Sequence, residues 1–295
     1  MRNTLFTGCA TALITPFADE KIDFDLLGIL IDRQLDAGTD ALVVLGTTGE
    51  PTTMTEDECE SVIDFVVRRV RGRIPVIVGA GDNDTRRAVA KCTKRQDLGA
   101  DALLVVTPYY NKATQDGLIA HFSTIADAVS IPVIVYNVPS RTGVNLLPET
   151  AAALSEHPRI AGLKEADPSI VQLSEAVRLC GADFSVYAGN DDLILPALAV
   201  GARGVISVAA NVWPSQVKAL TDYFFAGDLC SAQMDAHKMA RLIQLLFREV
   251  SPIPTKAALM LMGLGSGAMR LPLTKATNAL VAALSIELKR IGLVS

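Results

Sequence analysis

The sequence predicts an α/β fold: a (β/α)8 TIM barrel with a C-terminal helical extension. Three observations carry that prediction. Eight short apolar runs recur over the first 210 residues, at 9–14, 41–45, 75–79, 102–106, 132–136, 160–164, 184–188 and 204–208. They are unbroken rather than alternating, which is the pattern of parallel strands covered on both faces. Helical patterns lie between them, for example at 25–37, 55–71, 84–98, 114–129 and 168–179. Strands and helices in regular alternation close into a barrel of parallel strands ringed by helices.

Local signals agree with these elements. The first run follows Leu5-Phe-Thr-Gly-Cys9; the apolar segment ahead of Cys9 is too short for a signal peptide and reads as the approach to a strand. Thr55-Glu-Asp-Glu58 is a capping-box pattern for the second helix. Gly38 and Gly99 stand where helices should stop. Gly201-Ala-Arg-Gly204 reads as the turn into the eighth strand. Past residue 225 the strand pattern ends, and 228–249, 254–263 and 277–291 read as helices. The chain is therefore divided into a catalytic barrel at 1–225 and a helical region at 226–295, expected to pack on the barrel or on a neighbouring subunit. The alternative is a doubly wound open sheet, and its dinucleotide fingerprint is missing. Gly79-Ala-Gly81 lacks the third glycine, and Gly263-Leu-Gly-Ser-Gly267 follows a helix, where it reads as a terminus and turn.

Composition narrows the function. Of 295 residues, 50% are hydrophobic and 20% charged, enough for a large core and too apolar for disorder. A net charge of -5 without a basic run argues against nucleic acid and anionic membranes as partners. No apolar run reaches the ~18 residues that span a bilayer. The five cysteines are widely spaced and odd in number, as expected of reduced thiols in a cytoplasmic protein. His121, His157 and His237 are isolated, fall at no metal-ligand spacing, and read as surface or helix residues.

Active residues of such a barrel come from the C-terminal ends of its strands. The sixth run closes in Arg159-Ile-Ala-Gly-Leu-Lys-Glu-Ala166, which puts the amine of Lys164 at the tip of a buried strand. Burial disfavours an ammonium, and a free amine attacks carbonyls to form Schiff bases. The plainer reading is a lysine that snorkels to water from a strand end. The other strand ends favour chemistry. They read Gly46-Thr-Thr-Gly-Glu50, Thr107-Pro-Tyr-Tyr-Asn111, Tyr136-Asn-Val-Pro-Ser-Arg-Thr-Gly143 and Gly189-Asn-Asp191. The Gly46–Gly49 turn can aim backbone N–H groups and two hydroxyls at a small carboxylate. Tyr136, on the strand beside Lys164, is placed to move protons to and from a carbinolamine. Thr47 can connect Tyr136 to Tyr110 as a hydroxyl relay. Arg141 offers a planar fork for a carboxylate, against a plain reading as a loop arginine. Tyr187 reads as core packing. No Ser-His-Asp set, glycosidase carboxylate pair or barrel phosphate loop is visible.

GTTGE, TPYYN, YNVPSRTG, the Lys164 strand and Gly204-Val-Ile-Ser-Val208, in this order and spacing, resemble the dihydrodipicolinate synthase family. That family belongs to the pyruvate-dependent class I aldolase superfamily, which includes N-acetylneuraminate lyase. The resemblance covers nearly the whole chain. It implies that Lys164 condenses with pyruvate and that the derived enamine attacks L-aspartate 4-semialdehyde. It further implies that Thr47 and Thr48 hold the pyruvate carboxylate, and that Thr47, Tyr110 and Tyr136 form the proton relay. Arg141 would grip the semialdehyde carboxylate, and Gly189 and Ile206 would line the pocket, Ile206 through its carbonyl. Tyr110 or its neighbour Tyr109 would reach into a partner subunit, making a homo-oligomer, often a dimer of dimers. No metal or organic cofactor is implied.

Two rival readings remain open on the residues alone. One is another pyruvate-dependent aldolase, such as N-acetylneuraminate lyase or a keto-deoxy sugar acid aldolase. Thr47-Thr48 and Arg141 favour a small carboxylated aldehyde over a sugar. The other is a non-catalytic keto-acid-binding protein, which would have no need of the nucleophile. Feedback-inhibited members of the family bind lysine at the dimer interface. At those positions this chain has Pro51, Thr52, Glu56, Cys59, Asn83 and Arg87. Asn83 and Tyr109 fit, but Arg87 stands where an acid is expected and would repel an ammonium, so weak or absent lysine inhibition is expected.

Overall fold

A computed structural model describes residues 4–295. In chain order the barrel opens with β1 (Gly8–Ala12), a small hairpin of β2 (Phe17–Ala18) and β3 (Lys21–Ile22), and α1 (Phe24–Asp36). Next come β4 (Ala41–Val44), α2 (Glu56–Val70), β5 (Val76–Gly79), α3 (Thr85–Asp97), β6 (Ala102–Val106) and α4 (Gln115–Asp127). The third quarter holds β7 (Val133–Asn137), α5 (Pro139–Thr142), α6 (Pro148–Ser155), β8 (Ile160–Glu165) and α7 (Ile170–Cys180). β9 (Ser185–Ala188), α8 (Ile194–Ala199), β10 (Gly204–Ser207) and α9 (Pro214–Phe225) complete the ring. Three further helices follow: α10 (Leu229–Leu246), α11 (Ile253–Leu261) and α12 (Asn278–Arg290).

The eight strands β1, β4–β10 pair in parallel and close, β10 returning to β1. All eight runs expected as strands are strands, with ends displaced by no more than one or two residues. The displacements have local causes. β4 stops at Val44 because Leu45 takes a left-handed conformation (φ 54) that leaves the extended ladder. Gly79 then has to be glycine, since a Cβ there would lie 2.0 Å from the Leu45 carbonyl oxygen. The capping box is present: Thr55 Oγ1 accepts from the Glu58 amide, and Glu58 Oε2 accepts from the Thr55 amide. Gly263 (φ 76) and Gly267 (φ 66) form the expected turn after α11.

Two apolar layers result. An inner cluster, including Ala10, Ile77, Leu104, Ile134, Tyr136, Tyr187 and Ile206, fills the barrel. A larger outer cluster joins the strands' other faces to the helices and continues into Met239, Leu242 and Leu246 of α10. α10 packs on α9 and α8, so this part of the extension lies on the barrel itself. Among the described residues no helix is long and apolar enough to cross a membrane. All five cysteines are free thiols. His121, expected as a surface or helix residue, lies on α4 and is buried there, with Nδ1 2.9 Å from Thr85 Oγ1.

Candidate active site

β7 and β8 pair so that Tyr136 lies opposite Lys164. Partners in a parallel ladder point to the same face, and Tyr136 belongs to the inner cluster, so both side chains enter the barrel. Lys164 is 5% exposed and Tyr136 6%. The Lys164 Nζ stands 4.3 Å from the centre of the Tyr136 ring. The reading of a snorkelling lysine therefore fails: the amine is enclosed beside a phenol. Tyr187 lies opposite Lys164 on the other neighbour, β9. Its hydroxyl donates to the Phe6 carbonyl at 3.0 Å and its ring stacks on Phe6, the core role expected of it.

The Gly46–Gly49 segment forms a tight 3-10 turn at the end of β4, with Thr48 buried and Thr47 half-buried. Thr15 Oγ1 donates to the Gly49 carbonyl at 2.8 Å and ties this turn to the segment after β1. Among the described residues the hydroxyls of Thr47 and Tyr136 make no hydrogen bond, so one chain by itself does not assemble the three-hydroxyl relay. Tyr110, the third member, is 88% exposed and in a left-handed conformation (φ 78), with its amide donating to the Thr142 carbonyl at 3.2 Å. Tyr109 is 36% exposed beside it.

Arg141 sits on α5, just past the C-terminal end of β7. It is exposed, and its Nη2 donates to the Ser251 carbonyl at 3.0 Å, which fixes the guanidinium at the mouth of the barrel. Gly189 follows β9, where its amide donates to the Glu165 carbonyl at 2.6 Å. A Cβ at Gly189 would come within 2.7 Å of the Ala166 Cβ, so β9 approaches β8 this closely only with glycine here. Ile206 is fully buried in β10.

Three polar residues around this site carried no assigned role in the sequence. Asp191 is buried and accepts from the Ser207 hydroxyl, the Val208 amide at 2.9 Å and the Ala209 amide at 3.1 Å. Burial pushes its carboxyl up, while these donors and the nearby Lys164 favour the ionised form. Glu165 and Asn137 face each other on β8 and β7, one residue past Lys164 and Tyr136. Asn137 Nδ2 donates to Glu165 at 2.9 and 3.2 Å, and Gln172 Nε2 and the Asp167 amide donate at 3.1 and 2.8 Å. This network joins β7 and β8 behind the candidate site. The signal for it in the sequence is a charged residue directly after Lys164, where alternation turns it out of the barrel into the strand–helix layer.

Burial raises the Glu165 carboxyl from 4.5 to about 7 despite the four hydrogen bonds it accepts. The folded chain therefore keeps a proton that the unfolded chain releases. The resulting stability is fully present below pH ~4.5 and is lost as the pH rises through ~7, at a cost of about 3 kcal/mol. Melting temperatures of the wild type and Glu165→Gln at pH 5 and 8 should show the wild type losing that much relative to the variant. Parallel pH dependences would contradict it.

The dihydrodipicolinate synthetase family model matches residues 5–291. A 4-hydroxy-tetrahydrodipicolinate synthase of Caldicellulosiruptor saccharolyticus is 54% identical over 275 residues, covering 93% of either chain. A crystal structure of dihydrodipicolinate synthase from Thermotoga maritima has a TM-score of 0.97 at 44% identity, covering 98% of this chain and 100% of that one. The chloride-inhibited dihydrodipicolinate synthase of Acinetobacter baumannii, complexed with pyruvate, has a TM-score of 0.96 at 39% identity, covering 98% and 99%. With matches of this extent laid over the Lys164–Tyr136 pair, the chain belongs to the dihydrodipicolinate synthetase family.

Proposed function

We propose that this chain is a Schiff-base lyase that condenses pyruvate with L-aspartate 4-semialdehyde to give 4-hydroxy-tetrahydrodipicolinate. The observation that carries the reading is the buried Lys164 amine 4.3 Å from the Tyr136 ring centre. Its relatives' names supply the product, the pyruvate held by the Acinetobacter enzyme supplies the first substrate, and the semialdehyde is what the family resemblance implies.

Lys164 attacks the keto carbon of pyruvate, and the carbinolamine loses water to give the imine. Tyr136 supplies and recovers the protons for that step. Loss of a methyl proton gives the enamine, whose carbon bonds to the aldehyde of the second substrate. The amine of that substrate then adds to the imine carbon, displaces Lys164 and closes the ring. The turn of Thr47 and Thr48 holds the pyruvate carboxylate through its hydroxyls and amides. Arg141 takes the carboxylate of the semialdehyde bidentately. Gly189 and the Ile206 carbonyl line the pocket.

The exposure of Tyr110 supports a role in a partner's site, with Tyr109 at the interface and Thr47 bridging Tyr110 to Tyr136 across the subunit boundary. The proposed assembly is a homo-oligomer, a dimer or a dimer of dimers. Five free thiols support a cytoplasmic location.

Reductive trapping tests the reading. Pyruvate with borohydride should add mass at Lys164; a label elsewhere, or none, removes the proposed mechanism. Comparing turnover of aspartate semialdehyde with that of N-acetylneuraminate and keto-deoxy sugar acids separates the family's substrates.

Lysine should inhibit the purified enzyme weakly or not at all. Arg87 Nε donates to Asp82 at 3.0 Å and Nη2 to Asn83 Oδ1 at 3.0 Å, which holds a cation beside the positions that would have to receive an ammonium. Half-inhibition below about a millimolar would overturn this.

A further inference from the structure

The carboxylate-binding turn ends in a residue with no role in the chemistry above. Glu50 is 3% exposed and adopts a left-handed conformation, φ 56, which a residue with a side chain keeps only where its surroundings enforce it. Its amide donates to the Thr47 carbonyl at 3.2 Å, and its own carbonyl accepts from the Thr53 amide at 3.2 Å. Glu50 thus joins the 3-10 turn of Thr47–Gly49 to a second one, Pro51–Thr53.

What holds Glu50 there comes from the C-terminal helical region. Lys256, on α11 and 4% exposed, forms an ion pair with Glu50 Oε1. Among the described residues it is the only ion-pair partner of that carboxylate, and Oε2 makes no hydrogen bond. Lys256 also donates to the Ala268 carbonyl at 3.1 Å and stands 4.1 Å from the centre of the Phe17 ring. Arg270 stacks on the same ring at 4.4 Å, forks Glu58 at 2.6 and 2.8 Å, and donates to the Thr53 carbonyl at 2.9 Å. Two cations of the C-terminal region, sharing one aromatic ring, therefore grip both ends of the segment 50–58.

We propose that Glu50 and Lys256 are positioning residues for the keto-acid carboxylate: the buried pair seats the Thr47–Thr48 turn, so the C-terminal region sets pyruvate binding from outside the pocket. A buried charge whose partner is removed is strongly unfavourable, so Glu50 would be driven to take up a proton or to move toward water, and either ends the pairing that seats the turn. The Glu50–Thr47 hydrogen bond transmits any movement of the Glu50 backbone to the turn that carries the two hydroxyls. Burial pushes the Glu50 carboxyl up and the Lys256 ammonium down, so each charge depends on the other.

The inference rests on the functional reading above, and the test separates the two. Borohydride-trapped protein is measured against pyruvate concentration for the wild type, Lys256→Met and Glu50→Asp. Absence of trapping in the wild type would defeat the functional reading. If the wild type traps, Lys256→Met should raise the half-saturating pyruvate concentration at least tenfold. Glu50→Asp keeps the charges but shortens the tether by one methylene, about 1.5 Å. It should raise the half-saturating concentration severalfold while keeping the wild-type circular dichroism, so the test survives if Lys256→Met does not fold. KM for the semialdehyde should stay within twofold in both variants. Folded variants that saturate at the wild-type pyruvate concentration, or that weaken both substrates equally, would assign the pair a structural role and overturn the proposal.

Discussion

Lys164→Ala is expected to leave a folded protein that traps no pyruvate and turns over at least about a thousandfold more slowly. The rate loss follows from the route. Without an amine there is no imine, hence no enamine, and the carbon–carbon bond would have to form from an unactivated methyl group. The folding outcome follows from burial. Lys164 is 5% exposed and makes no ion pair among the described residues, so truncation removes a costly buried amine rather than breaking a pair. It also opens a small space beside Tyr136 and Tyr187, and the two effects oppose each other. Circular dichroism and melting temperature check the fold; trapping by mass and steady-state turnover check the chemistry. Trapping that survives at wild-type yield would place the nucleophile elsewhere.

The residues that could be read from the sequence are those whose role depends on their position along one strand. Lys164, Tyr136 and the Thr47–Thr48 turn each end an apolar run, and a parallel barrel gathers such ends at one mouth. The eight strands were legible for a related reason: burial on both faces leaves long apolar runs that no surface helix shares. Several other elements were not legible. α5, α6 and α9 open on Pro139, Pro148 and Pro214, which suit a first helical position but read in a sequence as breaks. β2 and β3 have two residues each, below any periodicity. Contacts between distant segments left no trace at all. Nothing near Glu50 announces Lys256, and nothing near Arg141 announces the Ser251 carbonyl that holds it. Asp191 was visible only as part of a polar strand end, because its donors come from β10 and the segment beyond it.

Tyr136→Phe is expected to slow imine formation by about two orders of magnitude or more while leaving pyruvate binding and the fold almost unchanged. The substitution removes one oxygen atom. The ring stays in the inner cluster, and within this chain the hydroxyl makes no hydrogen bond among the described residues, so the fold of the chain loses no internal contact. The loss therefore falls on proton transfer. Forming and dehydrating the carbinolamine needs a proton delivered to the departing oxygen and taken from nitrogen, beside an amine that is itself buried. Only a group beside the amine can do this, and in the β7–β8 register that position belongs to Tyr136. Asp191, also buried near Lys164, is the competing candidate. Its carboxylate is already engaged by the Ser207 hydroxyl and two backbone amides, which hold it in place rather than leave it free to exchange protons. Pre-steady-state trapping distinguishes them. If Tyr136→Phe forms the imine at the wild-type rate and Asp191→Asn does not, the proton carrier is the carboxylate. The expected pattern is the reverse, with Tyr136→Phe slow in imine formation and Asp191→Asn altered mainly in melting temperature.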